Sequence, residues 1–432
     1  MKEIVARWNR QYFDGELSDE CLREIDQIDE NDRELVQFID TWLFYFNKAG
    51  SRARDISPLG SRFFARIARS YMPSLWAMIP PVTRPGRLRI MDRVAQDILG
   101  FRPHSCINFL DVGSGYPPLP TQETACTFPA WTCVGIDPNF PASILYNRED
   151  AAACFNQRDQ LVYIQYLKGD LQPGPETVER DKQQFAEHWE TLRNDVSMRE
   201  DLSRCGRLIV DPISHYKGGN LTFTKSTLID YMPDQTFDFI RCMNVFMYFD
   251  RSCTIRNIKK AKSLMGKSGT FTCGNVPEPG CAARYLVYQK NDDDLLPKYF
   301  GFDLGKLSQK DGNGWWAFYK NQPEPLFLAK IVKMVADNQE LSQRVHDIID
   351  RVESEVGIAH RDSKGYRHET NFIHNTSHNI YLNKVLAEEC GNEITAFLKC
   401  NGVHTEMAPF DHLVIDLSKT GPEHYEQLFP VL

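Results

Sequence analysis

The first hundred residues carry apolar side chains at the spacing of an amphipathic helix. In the clearest stretch they recur every three or four positions, at Leu35, Phe38, Ile39, Trp42, Leu43 and Phe46. This period places one apolar stripe along a helix. Ser18 and the pair Ser57-Pro58 are residue types that begin helices. No stretch before Gly100 has the pattern of a strand, so we predict a helical N-terminal lid domain over residues 1–102.

After Pro103 the pattern changes to short apolar runs separated by helical stretches, which is typical of an α/β fold with a parallel sheet. The runs that predict buried strands are Ile107 to Val112, Thr132 to Ile136, Leu221 to Thr224, Phe237 to Cys242 and Thr270 to Cys273. A helix is predicted over residues 250–266. Arg284 to Gln289 and Trp315 to Tyr319 predict an antiparallel pair at the sheet edge, which brings the sheet to seven strands.

The interval between the second and third predicted strands is roughly 80 residues, far longer than an ordinary crossover. It contains a hairpin pattern around residues 156–159 that leads into the apolar run 161–166. A charged helical stretch follows from Glu176 to Arg204. Ligands of parallel sheets bind at the carboxyl ends of the strands. We therefore interpret residues 150–220 as an insertion that forms a substrate cap.

From Pro325 onward the pattern is helical again, and the chain ends with a predicted strand from His412 to Leu417. These residues form a mostly helical C-terminal extension, residues 323–432. The predicted organisation is thus an N-terminal helical region, a central α/β core over residues 103–322, and this extension. The extension and the sheet edge leave a homodimer open as a possibility.

Composition narrows the function. The 432 residues carry 50 Lys and Arg against 58 Asp and Glu, a net charge of −8, which disfavours nonspecific binding to nucleic acid or to an anionic membrane. No apolar run is long enough to span a bilayer, and the charged start does not have the pattern of a signal peptide. The 12 cysteines include no C-x-x-C pair. We expect a cytoplasmic protein with free thiols.

The segment from Asn108 to Tyr116 reads NFLDVGSGY, a buried strand that ends in an acidic residue and a glycine-rich turn. Glycines permit the positive φ of a tight turn and let a ligand lie against the backbone. Thr121 is the expected N-cap of the following helix. The second strand ends at Asp137, where a carboxylate can accept hydrogen bonds from both hydroxyls of a ribose. Asp111 would repel a pyrophosphate but suits a ligand with a cationic amino-acid end.

These features resemble class I S-adenosylmethionine (SAM)-dependent methyltransferases. Asp111, Gly113 and Gly115 fit the first motif of that family, and Asp137 fits the second. Two further segments are similar to the family's fourth strand and to the turn before its fifth strand, Phe237 to Phe249 and Leu264 to Phe271. The resemblance implies a Rossmann-like sheet that binds SAM, with Ser114 and Pro138 also at the cofactor.

Two departures from the family pattern concern the cofactor site. The acid that often follows the third strand and contacts the adenine is replaced by Thr227, with Asp230 three residues later. In a second alignment, the run ending at Asp170 is the third strand, which leaves the segment before Leu221 without a place. The third glycine of many members is replaced by Tyr116, which starts the sequence Tyr-Pro-Pro and predicts a stiffer turn.

Methyl transfer is an in-line displacement from a sulfonium, so the enzyme mainly has to align the nucleophile. Aromatic faces stabilise the positive charge, and the candidates are Tyr116, Tyr146 and Tyr248, each of which could also be a packing residue. Asn244 follows the fourth strand, where the family places groups beside the transferred methyl. It is therefore a candidate for both the catalytic and the cofactor site.

The predicted function is methylation of a small molecule in specialised metabolism, because the N-terminal region and the insertion predict an enclosed pocket. Two alternatives stay open. In one, the amine of SAM attacks its own γ-carbon and releases methylthioadenosine, which forms azetidine-2-carboxylate. In the other, the chain binds the cofactor without turnover. His374 and His378 have the spacing of a helical metal pair and His368 is nearby, but no third ligand is evident, so no metal site is predicted.

Overall fold

The computed structural model describes residues 1–68, 72–80, 82–147, 151–167, 173–194, 207–276, 283–308, 317–370 and 376–429. Its helices are α1 Glu3–Phe13, α2 Asp19–Ile25, α3 Arg33–Lys48, α4 Pro58–Arg62, α5 Pro73–Trp76, α6 Arg89–Arg93, α7 Leu119–Thr127, α8 Pro175–Asn194, α9 Arg251–Leu264, α10 Pro323–Asp337, α11 Gln339–Glu355 and α12 Thr376–Cys400. No helix within these ranges is both long and apolar enough to cross a membrane.

The strands are β1 Asn108–Val112, β2 Thr132–Ile136, β3 Ser143–Tyr146, β4 Ala151–Phe155, β5 Leu161–Tyr166, β6 Leu208–Val210, β7 Leu221–Thr224, β8 Phe237–Met243, β9 Met265–Asn275, β10 Arg284–Asn291, β11 Asp294–Asp303, β12 Ala359–Arg361, β13 Arg367–Glu369, β14 Thr405–Met407 and β15 His412–Asp416. In the part of the chain that is described, nine of them form one large sheet, in the order β14-β15-β11-β10-β9-β8-β1-β2-β7.

One half of this sheet is parallel and contains β7, β2, β1, β8 and β9. Counted along the chain, these strands stand in the order third, second, first, fourth, fifth, which is the order of a doubly wound, Rossmann-like sheet. α7 connects β1 to β2, and α9 connects β8 to β9. The predicted α/β class is therefore confirmed, and β2 and β7 have the predicted bounds.

The other half of the sheet is antiparallel and larger than predicted. β10 and β11 form a hairpin, but its second strand is Asp294–Asp303 and not the predicted run from Trp315 to Tyr319. Residues 317–319 are irregular, and Trp315 and Trp316 lie outside the described residues. β11 was not predicted because it begins in a run of three aspartates, which is a pattern typical of a loop. β15, the predicted terminal strand, pairs with β11, and β14 completes the edge.

The insertion between β2 and β7 folds into a second, antiparallel sheet of order β5-β4-β3-β6, and α8 lies in the chain between β5 and β6. The predicted hairpin is its β4–β5 pair. Because Leu161–Tyr166 belongs to this sheet and β7 pairs with β2, the third parallel strand is Leu221–Thr224, as the first alignment has it. Asp170 lies outside the described residues.

The two faces of the large sheet are covered by different parts of the chain. On one face, the N-terminal helices, α9 and the C-terminal helices share a single hydrophobic core with β1, β8 and β9. The predicted apolar stripe of α3 is buried in that core. On the other face lie α7 and the second sheet, whose Ile144 and Cys154 pack in a cluster with Phe223 of β7. The second sheet also reaches the turn after β1, where Gln165 of β5 donates to the carbonyl oxygen of Tyr116 at 2.6 Å.

A buried ion pair ties the N-terminal helices to the C-terminal ones. Arg367 of β13 donates hydrogen bonds to both carboxylate oxygens of Glu353 on α11, at 3.0 and 3.2 Å, and also contacts Glu369. Glu369 in turn accepts a hydrogen bond from Ser57, the N-cap of α4, at 2.8 Å. Burial of Arg367 and Glu353 makes these contacts costly to break.

We expect Arg367→Ala to lower the free energy of unfolding by about 3–5 kcal/mol, because it removes the guanidinium that both carboxylate oxygens of buried Glu353 contact. The matched control is Arg344→Ala, which removes an ion pair with Glu393 at 2.7 Å whose two side chains are 53% and 41% exposed. Such an exposed pair contributes about 0–1 kcal/mol. Urea unfolding of both variants measures the difference, and equal losses would contradict the importance assigned to Arg367.

Candidate functional site

The candidate site lies at the carboxyl ends of β1 and β8. These strands are neighbours in the sheet, but the chain continues from β1 to β2 on one side of the pair and from β8 to β9 on the other. Such a switch point in strand order opens a crevice in which ligands of doubly wound sheets bind. The glycine turn after β1 and Asn244 after β8 face each other across this point. The position of the site follows from topology alone.

The glycine turn requires its two glycines. Gly113 and Gly115 have φ angles of 74° and 67°. A Cβ atom on Gly113 would lie 2.5 Å from Cγ2 of Val245, and one on Gly115 would lie 2.9 Å from Oγ1 of Thr83. The turn is fixed to β2 by the N–H groups of Gly113 and Ser114, which both donate to the carbonyl oxygen of Ile136. Both positions therefore need glycine, because of the positive φ and because a side chain of the protein lies against the backbone.

Asp137 lies at the end of β2, beside this turn. Its Oδ2 accepts a hydrogen bond from the N–H of Gly115 at 3.0 Å, and its Oδ1 accepts one from the N–H of Asn139 at 2.8 Å. Burial raises the pKa of Asp137, and these two N–H groups oppose the rise. Pro138, the next residue, is exposed. The carboxylate and the turn are thus held in one fixed arrangement.

Asp111 is bound by three donors of the protein itself. Its two carboxylate oxygens accept hydrogen bonds from Nε and Nη2 of Arg241, at 2.9 and 2.8 Å, and Oδ2 also accepts one from Thr121 at 2.6 Å. The group is buried beneath α7. Asp111 therefore positions α7 and the turn. Thr121 is not the N-cap of α7, whose cap position is Pro118.

Arg241 was not found from the sequence, although a charged residue within an apolar strand run is a signal of a buried partner. Besides Asp111, it donates to Asp92 of α6 at 3.2 Å and to Oγ1 of Thr124 at 3.0 Å. Its side chain is 0% exposed. Ser114 is also buried, and its hydroxyl donates to the carbonyl oxygen of Asp111 at 3.1 Å.

The structure brings two of the three candidate tyrosines together. The side chains of Tyr116, Tyr146 and Tyr216 lie together, and the rings of Tyr116 and Tyr216 meet edge to face at 6.0 Å. Tyr248 lies apart from them and stacks on Phe318 at 5.1 Å. Burial raises the pKa of Tyr116, Tyr146 and Tyr248, so each phenol stays neutral at physiological pH.

Asn244 is held rigidly at the crevice. It has a φ of 62°, and its N–H donates to the carbonyl oxygen of Gly274 at 2.8 Å. Its Oδ1 accepts hydrogen bonds from the N–H of Val276 and from Nδ2 of Asn275, at 2.8 and 3.0 Å. Thr227 follows β7 as predicted, and its hydroxyl donates to Oδ2 of Asp230 at 2.6 Å. The sequence did not indicate how Asn244 is anchored, because its partners are about 30 residues distant.

A covering segment, residues 82–88, lies across the carboxyl edge. Oγ1 of Thr83 lies beside Gly115. The N–H of Gly86 donates to Glu123 of α7 at 2.8 to 2.9 Å, and Nε of Arg87 donates to the carbonyl oxygen of Val276 at 3.1 Å. The segment therefore spans from α7 to the end of β9. The sequence marked this stretch only as a break between helices.

No metal centre is found in the described ranges, in which no three His, Cys, Asp or Glu side chains are grouped to hold an ion. His368 contacts Asp362 at 3.1 Å, and His378 is buried. His374 lies outside the described residues.

No protein-family model and no curated protein matches the chain. Three similar solved structures are the N-methyltransferase NodS from Bradyrhizobium japonicum WM9 with S-adenosylhomocysteine, the magnesium protoporphyrin IX methyltransferase ChlM from Synechocystis PCC 6803 with SAM, and a putative O-methyltransferase from Nostoc punctiforme PCC 73102. Their identities are 11%, 12% and 10%, and their TM-scores are 0.21, 0.21 and 0.22.

Each match covers 44% of this chain, and the chain spans 60%, 57% and 37% of those three proteins. All three bear the name of the enzyme class that the sequence motifs resemble. With TM-scores this low, nothing about this chain is inferred from these matches. The fold is assigned from the strand order, and the candidate site from the glycine turn and Asp137.

Gly113→Ala tests whether the turn needs glycine because Val245 lies close to it, in addition to its positive φ. Gly100 is the matched control, because it has the same φ of 74° and nothing within 4 Å of an added Cβ. We expect Gly100→Ala to cost about 1–2 kcal/mol of stability, the price of a left-handed residue. Gly113→Ala should cost about 1–3 kcal/mol more, because its Cβ meets Val245. Chemical unfolding measures both, and equal losses would refute the close contact.

Proposed function

We propose that this chain is a SAM-dependent methyltransferase that acts on a small molecule. The observation that carries the proposal is the carboxylate of Asp137, which the N–H of Gly115 holds at the end of β2. An acid at this position of a doubly wound sheet receives hydrogen bonds from the two hydroxyls of a ribose. The site therefore fits a nucleoside.

The start of α7 favours a nucleoside without phosphates. Phosphates bind at helix N-termini through free N–H groups. Here Pro118 and Pro120 have no N–H, and the N–H of Leu119 donates to the carbonyl oxygen of Pro117 at 2.8 Å. A pyrophosphate would find few donors at this turn. SAM fits better, because it is a nucleoside that carries an amino-acid chain in place of a phosphate.

In this proposal Asp137 binds the ribose, and the turn of Gly113, Ser114 and Gly115 lets the amino-acid chain lie against the backbone. Pro138 forms the wall beside the nucleoside. Thr227 lies at the adenine edge, where its hydroxyl and Asp230 offer hydrogen-bonding groups. Asp111 acts indirectly, since its pairing with Arg241 keeps α7 and the turn in place.

SAM, when bound, supplies a methyl group on a sulfonium, which a nucleophile can attack in line. The chain's part is to align and to stabilise. Asn244, fixed by Asn275 and Val276, presents its amide beside the reacting groups. The neutral rings of Tyr116 and Tyr146 lie on one side of the turn, where an aromatic face stabilises the positive charge. Tyr248, near the end of β8, stands on the acceptor side.

Enclosure supports a small acceptor and a role in the biosynthesis of a specialised small molecule. The covering segment lies over the glycine turn, and the second sheet meets Tyr116, whose carbonyl oxygen accepts a hydrogen bond from Gln165 of β5 at 2.6 Å. An enclosed crevice excludes water from the sulfonium. A large macromolecular acceptor would find the crevice already covered.

We expect Asp137→Asn to weaken SAM binding about tenfold or more, because a hydrogen bond to a charged acceptor contributes about 1.5–3 kcal/mol. Isothermal calorimetry with SAM measures the change. The control is Asp293→Asn in the exposed β10–β11 turn, which should bind SAM like the unchanged protein. Equal affinity of the two variants, or no SAM binding by the unchanged protein, would refute the proposal.

A product assay separates methyl transfer from the alternative chemistry. We expect purified protein with SAM alone to leave it intact, and S-adenosylhomocysteine to appear only when an acceptor is added. Methylthioadenosine together with azetidine-2-carboxylate would instead establish intramolecular attack by the amine of SAM. Mass spectrometry of the nucleoside products distinguishes these results, and Gly113→Arg, which fills the turn, is the control for enzyme-dependent product.

A further inference from the structure

A second polar site lies on the face of the sheet opposite to Arg241. It is a pocket between the carboxyl end of β9, the start of β10 and the start of α10. Gly274 and Asn275 form part of its wall, and both are hydrogen-bonded to Asn244. The pocket is therefore adjacent to the residue that the proposed function places beside the transferred methyl group.

The pocket contains a carboxylate whose protein contacts are long. Oε1 of Glu324 accepts a hydrogen bond from the thiol of Cys273 at 3.4 Å, and Oε2 forms an ion pair with Nε of Arg284 at 3.8 Å, too long for a hydrogen bond. The Glu324 side chain is only 14% exposed. A thiol is a weak donor. Burial of a carboxylate costs free energy, and each additional hydrogen-bond donor that reaches it lowers this cost.

A second acceptor in the pocket has no partner among the described residues. Asn275 is 2% exposed, and its Nδ2 donates to Asn244 and to the sulfur of Met247. Its Oδ1 is buried and accepts no hydrogen bond from the part of the chain that the structure describes. An unsatisfied buried amide oxygen is costly and calls for an explanation such as a ligand. Two acceptors in one pocket indicate a ligand rich in N–H donors.

The rest of the wall suits the carbon skeleton of such a ligand. Leu286, Ile258 and Pro325 supply apolar surface, and Tyr288 adds an aromatic ring. Burial raises the pKa of Glu324, whereas Arg284 and Cys273 oppose the rise. A cation bound at Glu324 would favour its ionised form, because a nearby opposite charge stabilises a carboxylate.

We propose that this pocket binds the protonated amine of a small acceptor substrate, with Glu324 and Asn275 as the groups that receive its N–H donors. As an acceptor site it rests on the proposed methyltransferase function, whereas the binding of an amine does not. Because the pocket adjoins Asn244, an amine held there places another part of the same molecule at the reacting methyl. Glu324 is in this sense a residue that determines substrate class.

The test uses n-propylamine, n-propanol and propionate as probes in saturation-transfer difference NMR with the full chain. We expect n-propylamine to bind and the other two to bind at least about tenfold more weakly, because only the amine forms a charge-assisted hydrogen bond to Glu324. Glu324→Gln should remove most of the preference for the amine. Propionate binding, or equal binding of n-propanol and n-propylamine, would overturn the proposal.

Glu340→Gln is the matched control, because Glu340 occupies the second position of α11 as Glu324 does in α10, and it is exposed. It should bind n-propylamine like the unchanged protein. Glu324→Asp keeps the charge and should retain part of the binding, so it serves if the glutamine variant does not fold. Amine binding that is unchanged in a folded Glu324 variant would overturn the assignment.

Calorimetry with SAM on the same proteins separates the two proposals. We expect Glu324→Gln to bind SAM with unchanged affinity, since Glu324 lies outside the glycine turn. If the unchanged protein binds n-propylamine through Glu324 but does not bind SAM, the methyltransferase function fails and the amine site stands. If it binds SAM but no amine, the amine site fails and the methyltransferase function stands.

Discussion

The guanidinium of Arg241 connects four elements beneath the candidate site. It joins β8, which carries it, to Asp111 at the end of β1, to Asp92 on α6 and to Thr124 on α7. The two carboxylates and one guanidinium are all buried, so removal of any one of them would leave uncompensated charge in the interior. The switch point in strand order and the glycine turn lie directly above this cluster, and their geometry depends on it.

Much of the fold could be predicted because local patterns dictate it. β2 and β7 are short runs that place apolar residues at buried positions, and the insertion is evident from its length alone. β11 could not be predicted, because it begins in a run of aspartates and contains Pro297, two features that usually mark loops. Its place in the sheet is set by pairing with β10 and β15, and such pairing between distant segments leaves no local pattern.

The same distinction applies to the site. The glycines and Asp137 could be named as candidates because a tight turn and a strand end constrain residue type at fixed spacing. The pairing of Asp111 with Arg241 could not be predicted, because the two residues are 130 positions apart. An acidic residue at a strand end carries the same signal whether it faces a ligand or a buried cation, so only the three-dimensional structure separates these cases. Glu324 and Asn275 lie in segments that carry no motif, and only their shared pocket links them.

The covering segment lies where, in the proposed function, a ligand would enter or leave the glycine turn. Near its C-terminal end it is held by the N–H of Gly86, which donates to Glu123 of α7, and by Nε of Arg87, which donates to the carbonyl oxygen of Val276 after β9. If SAM binds at the turn as proposed, its entry and exit would require these residues to move. Its residence time would then depend on the opening rate of residues 82–88 as well as on affinity, so that a tight ligand and a slowly exchanging one need not be the same.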